Sequence, residues 1–368
     1  MTWDSLTAAL RESGALTGEW EKAFLTVPRT AFTPDRIHSD GEWIDRRKDS
    51  ARWNDLVCSD LPLDTQFYDD DRTPSSSSSM PTVVATMLHH LDVADGMNVL
   101  EVGTGTGWTA GLLARRLGGA HVTSVELDTN LADTARNRLG GAGLNPTVIA
   151  GDGMAGYREK GPYDRIHATA AVRRVPLEWL KQTRPGGVIL TPFGTAFCNG
   201  ALLKLTVAED GLSASGPFVA DVAFMWVRDQ RPESGPFEIE DVRYGPSPID
   251  PSEVDEATEA AFAIGLRLPG LFRQSVWADY DRFGTGRSEV WDGTSYAHCR
   301  YADWEGAHAV SQSGPRDLWA EISAVHAWWV RNDKPGLTRF GLTVTTAGTQ
   351  YAWLDKPGNV ISGPAVGP

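Results

Sequence analysis

The stretch Val99-Leu100-Glu101-Val102-Gly103-Thr104-Gly105-Thr106-Gly107 decides the fold. A short apolar run leads directly into three alternating glycines, and Trp108–Leu117 then repeats apolar residues at helical spacing. Strand, glycine loop and helix in that order describe a ligand-binding turn. Glycine adopts positive φ and leaves no Cβ between the backbone and a ligand. The helix behind it offers free N–H groups and the positive end of its dipole. The spacing tells against a dinucleotide. G-x-G-x-x-G would need glycine at 108, but Trp108 stands there and the third glycine comes one residue early.

Outward from this loop, helices are expected over 83–91, Trp108–Leu117 and 131–139. Strands are expected over 98–102, 121–125, 146–150, 165–169 and 187–192. Alternation of this kind makes a parallel sheet with helices on its faces. Three acids fall at the carboxyl ends of successive strands. Glu101 precedes the first glycine, Glu126 lies in Val125-Glu126-Leu127-Asp128, and Asp152 lies in Gly151-Asp152-Gly153. Ligands of open α/β sheets bind at that edge. There the acids can meet the amino group, the ribose hydroxyls and the adenine amino group of S-adenosylmethionine (SAM). The expected cofactor residues are Glu101, Gly103, Thr104, Gly105, Gly107, Glu126, Leu127, Asp152 and Gly153.

The remaining sequence frames this core. With 368 residues, more than one folded unit is expected. We divide the chain into an N-terminal helical segment (1–75), a Rossmann-like domain (76–235) and a C-terminal α+β domain (236–368). Trp3, Leu6 and Leu10 share one helical face; Trp20, Ala23, Phe24 and Val27 share another, with Thr17 as its cap. Residues 36–74 receive no assignment, and Ser75 to Ser79 form an unbroken serine run. Residues 228–251 read as a linker. Ser252 with Asp255 reads as a capping box opening a helix through Ile264. Leu318, Ile322, Val325 and Trp329 mark a further helix, and two strands follow around Ala347-Gly348.

Composition excludes several classes of function. A net charge of −14 and only short basic clusters disfavour nucleic acid as a partner. Three scattered cysteines give neither a zinc spacing nor a disulfide framework, so no metal is expected. Neither a signal peptide nor an apolar span of membrane length is present, and a cytoplasmic protein without membrane association is expected.

Several segments together resemble the protein-L-isoaspartate O-methyltransferase family. They are Val99 to Gly107, Gly151-Asp152-Gly153, Tyr163-Asp164-Arg165-Ile166-His167-Ala168-Thr169-Ala170, Arg184-Pro185-Gly186-Gly187, and Val27-Pro28-Arg29 with Phe32 and Pro34. The resemblance implies a Rossmann-like class I SAM-dependent methyltransferase fold. The family carries Ser-Ala-Pro-His ahead of the first sheet strand; here Ser79-Met80-Pro81-Thr82 stands in that place. Ser79 is thereby implied as the catalytic serine, with Ser78, Met80 and His167 as substrate contacts. Thr82 replaces the family histidine, which tells against recognition of damaged isoaspartate.

Ser79-Met80-Pro81, Ala171-Val172-Arg173-Arg174, Gly314-Pro315-Arg316-Asp317-Leu318-Trp319 and Arg339-Phe340-Gly341-Leu342-Thr343-Val344 resemble a narrower branch of the family. That branch accompanies ATP-grasp ligases which crosslink ribosomal peptides (graspetides). It implies methylation of an ordinary aspartate in a modified precursor peptide, with the maturase as a further partner. The ester would close to an aspartimide, which hydrolysis can open to isoaspartate. The C-terminal region is expected to form one wall of the peptide groove. The competing readings are an isoaspartate repair enzyme, a small-molecule O-methyltransferase and a non-catalytic SAM-binding scaffold.

Overall fold

The computed structural model describes residues 2–68, 73–232, 241–255, 258–278 and 286–361. Two compact units emerge, neither a single block of sequence. One comprises 1–170, 176–191 and 204–214; the other comprises 171–175, 192–203 and 215–368. The expected boundary at 235 lies outside the described residues.

The first unit begins with α1 (Trp3–Glu12) and α2 (Gly18–Thr26). Their buried faces carry the expected Trp3, Leu6, Leu10, Trp20, Ala23 and Phe24. Thr17 stands at the N-cap of α2, but its hydroxyl donates to Glu19 and makes no cap bond. The unassigned stretch folds as β1 (Arg36–Ser39), β2 (Glu42–Asp45), α3 (Ser50–Val57) and β3 (Leu63–Phe67). The serine run becomes β4 (Pro74–Ser78), antiparallel to β3, with Leu63 opposite Ser78. The sheet order is β2-β1-β3-β4. Ile37, Ile44, Trp53, Val57 and Leu63 form the core beneath it.

Next come α4 (Pro81–Leu91), β5 (Val99–Val102), α5 (Trp108–Leu117), β6 (Val122–Glu126), α6 (Thr129–Gly141), β7 (Thr147–Ala150), β8 (Tyr163–Ala168), α7 (Leu177–Gln182) and β9 (Thr183–Gly194). Parallel pairing gives the order β9-β8-β5-β6-β7. Every residue of β5 is buried, as a central strand covered on both faces requires. Trp108, where a dinucleotide loop would place glycine, is 2% exposed and makes edge contacts with Trp3 and Phe24. Its indole nitrogen donates to the Val27 carbonyl at 3.0 Å. The N-terminal helices are therefore built onto the cofactor helix. The α/β fold is as expected.

Strands β10 (Asn199–Val207) and β11 (Ser213–Ala220) contribute residues to both units. The second unit then contains β12 (Arg243–Gly245), α8 (Ser252–Asp255), α9 (Thr258–Arg267), β13 (Phe272–Val276), β14 (Arg287–Trp291), β15 (Tyr296–Arg300), β16 (Val310–Ser313), α10 (Leu318–Arg331), β17 (Phe340–Thr345) and β18 (Gln350–Leu354). Helix α10 and the β17–β18 hairpin match the sequence pattern, and the α+β character holds. The antiparallel sheet β12-β16-β15-β14-β13 was not foreseen. Asp255 does not complete a capping box. Its carboxylate, 3% exposed, collects Arg273, Ser275, Ser288 and Tyr301. Among the described residues no helix is long and apolar enough to cross a membrane.

Candidate active site

The glycine loop leaves β5 and enters α5 with Gly103 at φ 95° and Gly107 at φ 88°. Both need the left-handed region that only glycine occupies freely. A Cβ on Gly103 would lie 2.5 Å from the Thr169 hydroxyl, which instead donates to the Gly103 carbonyl at 2.6 Å. Thr169 thus pins the loop from the end of β8. At Gly107, a Cβ would crowd Ala135 of α6 at 3.2 Å.

The three acids stand at the carboxyl ends of β5, β6 and β7, adjacent strands of the sheet. Glu126 Oε2 accepts the Gly105 N–H at 2.8 Å, and Oε1 accepts the Asp128 N–H at 3.1 Å. Each oxygen keeps lone-pair capacity for a ligand hydroxyl. Leu127 beside it is 46% exposed. Asp152 Oδ1 accepts the Met154 N–H at 2.8 Å, which shapes the turn containing Gly153. Trp179 then fixes the Gly153 carbonyl at 2.8 Å.

Glu101 is fully buried, and burial pushes its carboxyl up to about 8. Ser124 donates to Oε2, and the Ser124 and Thr104 hydroxyls bond to each other. Oε1 is buried without a hydrogen-bond partner. A buried acceptor with nothing to accept is costly, unless a bound ligand donates to it. The donors and acceptors present fit SAM in kind: a buried carboxyl with an unpartnered oxygen and two further strand-end carboxylates, the groups that the sequence assigns to its ammonium, hydroxyl and amino functions.

The serine strand lies against the same loop. A Cβ on Gly105 would stand 3.8 Å from the Ser77 carbonyl and 3.9 Å from the Ser76 hydroxyl. Gln66 of β3 donates to Asp128 at 3.1 Å. Ser79, half-buried, therefore follows β4 close to the cofactor loop, and Met80 is the N-cap of α4. Ser78 differs from expectation. It is 3% exposed, and its hydroxyl accepts from Arg29 Nε at 2.9 Å. Its side chain is engaged within the protein, not offered to substrate. His167 likewise sits inside β8, 1% exposed, with its imidazole lowered by burial to about 4. It lies inside the sheet opposite Glu101, its register partner, and its Nδ1, like Glu101 Oε1, is buried without a hydrogen-bond partner.

Sequence reasoning gave no role to Ser124, Thr169, Arg29 or Asp60. Arg29 and Thr169 lie inside the family-like segments, but nothing in those segments says what their side chains hold. Each acts through a partner far along the chain, visible only once the sheet is assembled.

Comparison with known proteins gives the family. The profile of the family described as Protein-L-isoaspartate(D-aspartate) O-methyltransferase (PCMT) matches residues 2–230. A protein-L-isoaspartate O-methyltransferase of Pyrococcus horikoshii is 36% identical over 211 residues, covering 57% of this chain and 85% of its own. One from Ignicoccus hospitalis is 42% identical over 195 residues, covering 52% of this chain and 82% of its own. A solved structure of a protein-L-isoaspartate O-methyltransferase aligns with TM-score 0.56 at 21% identity. It covers 96% of this chain and all of that one, so the shared fold reaches well into the second unit. With the matched profile spanning most of the chain and the glycine loop and its acids in place, the protein belongs to the PCMT family and is a SAM-dependent protein carboxyl O-methyltransferase.

Proposed function

We propose that the enzyme methylates the side-chain carboxylate of an ordinary aspartate in a ribosomally made, crosslinked peptide. The observation that carries this reading is Thr82. Where the family has histidine, this chain has a short side chain whose N–H and hydroxyl both donate to Asp60, at 2.8 and 2.6 Å. No imidazole stands there to meet the displaced backbone of an isoaspartate. The branch resemblance of Ser79-Met80-Pro81 and of the C-terminal motifs supplies the peptide class.

An aspartate carboxylate, with an ordinary pKa of about 3.9, is already ionised near neutral pH and needs no general base. SAM, when bound, supplies an electrophilic methyl group. The protein's contribution is alignment, which can be worth on the order of 7–11 kcal/mol. Ser79 donates a hydrogen bond to one carboxylate oxygen and leaves the other free to attack. A neutral hydroxyl suits this better than a cation, which would hold the nucleophile too tightly. The backbone nitrogen of the next residue can then attack the ester carbonyl, lose its proton and expel methanol, closing an aspartimide.

A second reading, methylation of isoaspartate in proteins, has one specific support. The fold shared with a protein-L-isoaspartate O-methyltransferase extends over 96% of the chain, so a C-terminal unit is no mark of peptide specialisation. Mass spectrometry separates the two readings. The protein is incubated with SAM and either the crosslinked precursor encoded beside it or an isoaspartyl peptide. Methyl ester or aspartimide on the precursor alone supports the proposal. Methylation of the isoaspartyl peptide alone overturns it.

A further inference from the structure

Ser79 hangs between two elements that one short segment holds from both sides. Arg29, with no exposed surface, donates from Nε to the Ser78 hydroxyl at 2.9 Å and from Nη2 to the Ser78 carbonyl at 2.6 Å. The same guanidinium reaches the carbonyls of Leu61 at 2.9 Å and Ser59 at 3.4 Å. Its planar fork sets these contacts in fixed directions. Asp60, between those two carbonyls, turns the other way. Its Oδ1 accepts the Thr82 N–H at 2.8 Å and its Oδ2 the Thr82 hydroxyl at 2.6 Å. That N–H belongs to the first turn of α4 and has no partner within the helix. A carboxylate there also complements the helix dipole.

Residues 59–61 therefore tie the end of β4 to the start of α4. Only Ser79, Met80 and Pro81 span the gap. Proline fixes φ, and Met80 is already held at the N-cap, with φ −58° and ψ 129°. Little freedom remains to the serine beyond its own torsions. Burying a guanidinium is costly, and burial lowers Arg29 to about 9 while the Asp60 charge opposes the shift. A joint serving only to anchor a surface strand has no need of a buried cation.

We infer that Arg29, Asp60 and Thr82 are positioning residues that set the Ser79 hydroxyl for carboxyl methylation. The inference rests on the reading of Ser79 as the hydroxyl that orients the substrate. Thr82→Val keeps the shape of the side chain and removes its hydroxyl donor; Thr82→Ser restores the donor. Asp60→Asn weakens the same joint from the other side.

The test measures kcat and KM with labelled SAM and whichever of the precursor or isoaspartyl peptides the enzyme methylates, with SAM affinity by calorimetry. A displacement near 1 Å can cost about a hundredfold in rate, so Thr82→Val and Asp60→Asn should each lower kcat by at least about tenfold. KM and SAM affinity should stay level, Thr82→Ser should recover most of the rate, and the double variant should be no worse than either single one. A crystal structure of Thr82→Val should show the Ser79 Oγ displaced. Normal turnover in Thr82→Val beside an impaired Ser79→Ala, or an unmoved Oγ, would overturn the inference and leave the role of Ser79 standing. Full activity in Ser79→Ala would bring down that role, and the inference with it.

Discussion

Strands β5 and β4 both border the cofactor loop, yet they form for opposite reasons. Strand β5 is Val-Leu-Glu-Val, buried throughout and followed by glycines that permit one path only. Its structure is written in its own residues. Strand β4 is a proline and four serines, not the β-branched and aromatic residues that favour strands. What holds it is remote: β3 along its length, Thr65 on Ser76 at 3.0 Å, and Arg29 on Ser78 from 49 residues away. A glycine loop can thus be intrinsic while the strand leading to Ser79, the serine we propose orients the substrate, depends on borrowed order.

The sharpest way to break this contrast is Gly103→Val. A side chain at φ 95° and 2.5 Å from the Thr169 hydroxyl combines backbone strain with overlap, on the order of 3 kcal/mol or more. Denaturant unfolding should show the loss and calorimetry should find no SAM binding. Near-normal values would remove the loop from the intrinsic side. Ser79→Ala should lower kcat about a hundredfold while SAM affinity and melting temperature stay level. If SAM affinity fell instead, the two regions would not be separable.

Glu126→Ala should weaken SAM binding by about 1.5–3 kcal/mol and loosen the loop, because its Oε2 holds Gly105. Unchanged affinity in a folded variant would remove Glu126 from the cofactor site. Glu101 offers a pH test. The unfolded chain loses this proton near the ordinary carboxyl value of 4.5, the folded one near 8. Its contribution to stability is therefore present below 4.5 and lost as pH rises to about 8. If SAM's ammonium group requires the ionised form, affinity should rise roughly tenfold per pH unit up to that point, with proton release on binding. Glu101→Gln should flatten the profile, and a flat wild-type profile would contradict the ammonium role. The smallest effect belongs to β4. The Ser75 hydroxyl is buried without a partner, so Ser75→Ala should raise stability by up to about 1 kcal/mol. A clear loss would mean that the hydroxyl contributes to the strand.

The same contrast governs what could be read in the sequence. The parallel sheet, helices α1, α2, α5, α6 and α10, and the β17–β18 hairpin follow local periodicity, and with them the strand ends where the proposed cofactor acids stand. Residues 36–74 resisted because Arg36, His38, Asp45 and Asp64 interrupt any apolar alternation; the strands exist only as partners of one another. The serine run carries no strand signal of its own; β3 and Arg29 make a strand of it. In the second unit, Asp255 looked like a cap and is the hub of a buried polar network, formed by donors 18 to 46 residues downstream. Long-range pairing leaves no periodic trace.

The indole of Trp108, bonded to Val27 across 81 residues, bears on how this chain comes to be made. Helices α1 and α2 leave the ribosome before the indole that packs on Trp3 and Phe24 has been made. At roughly 5–20 residues per second, the tryptophan that completes their packing follows several seconds later. Until then α1 and α2 are sticky, short and marginal helices. Synthesis therefore holds a window in which a chaperone, or premature association between nascent chains, can intervene, and that window closes as the glycine loop and the helix behind it are born.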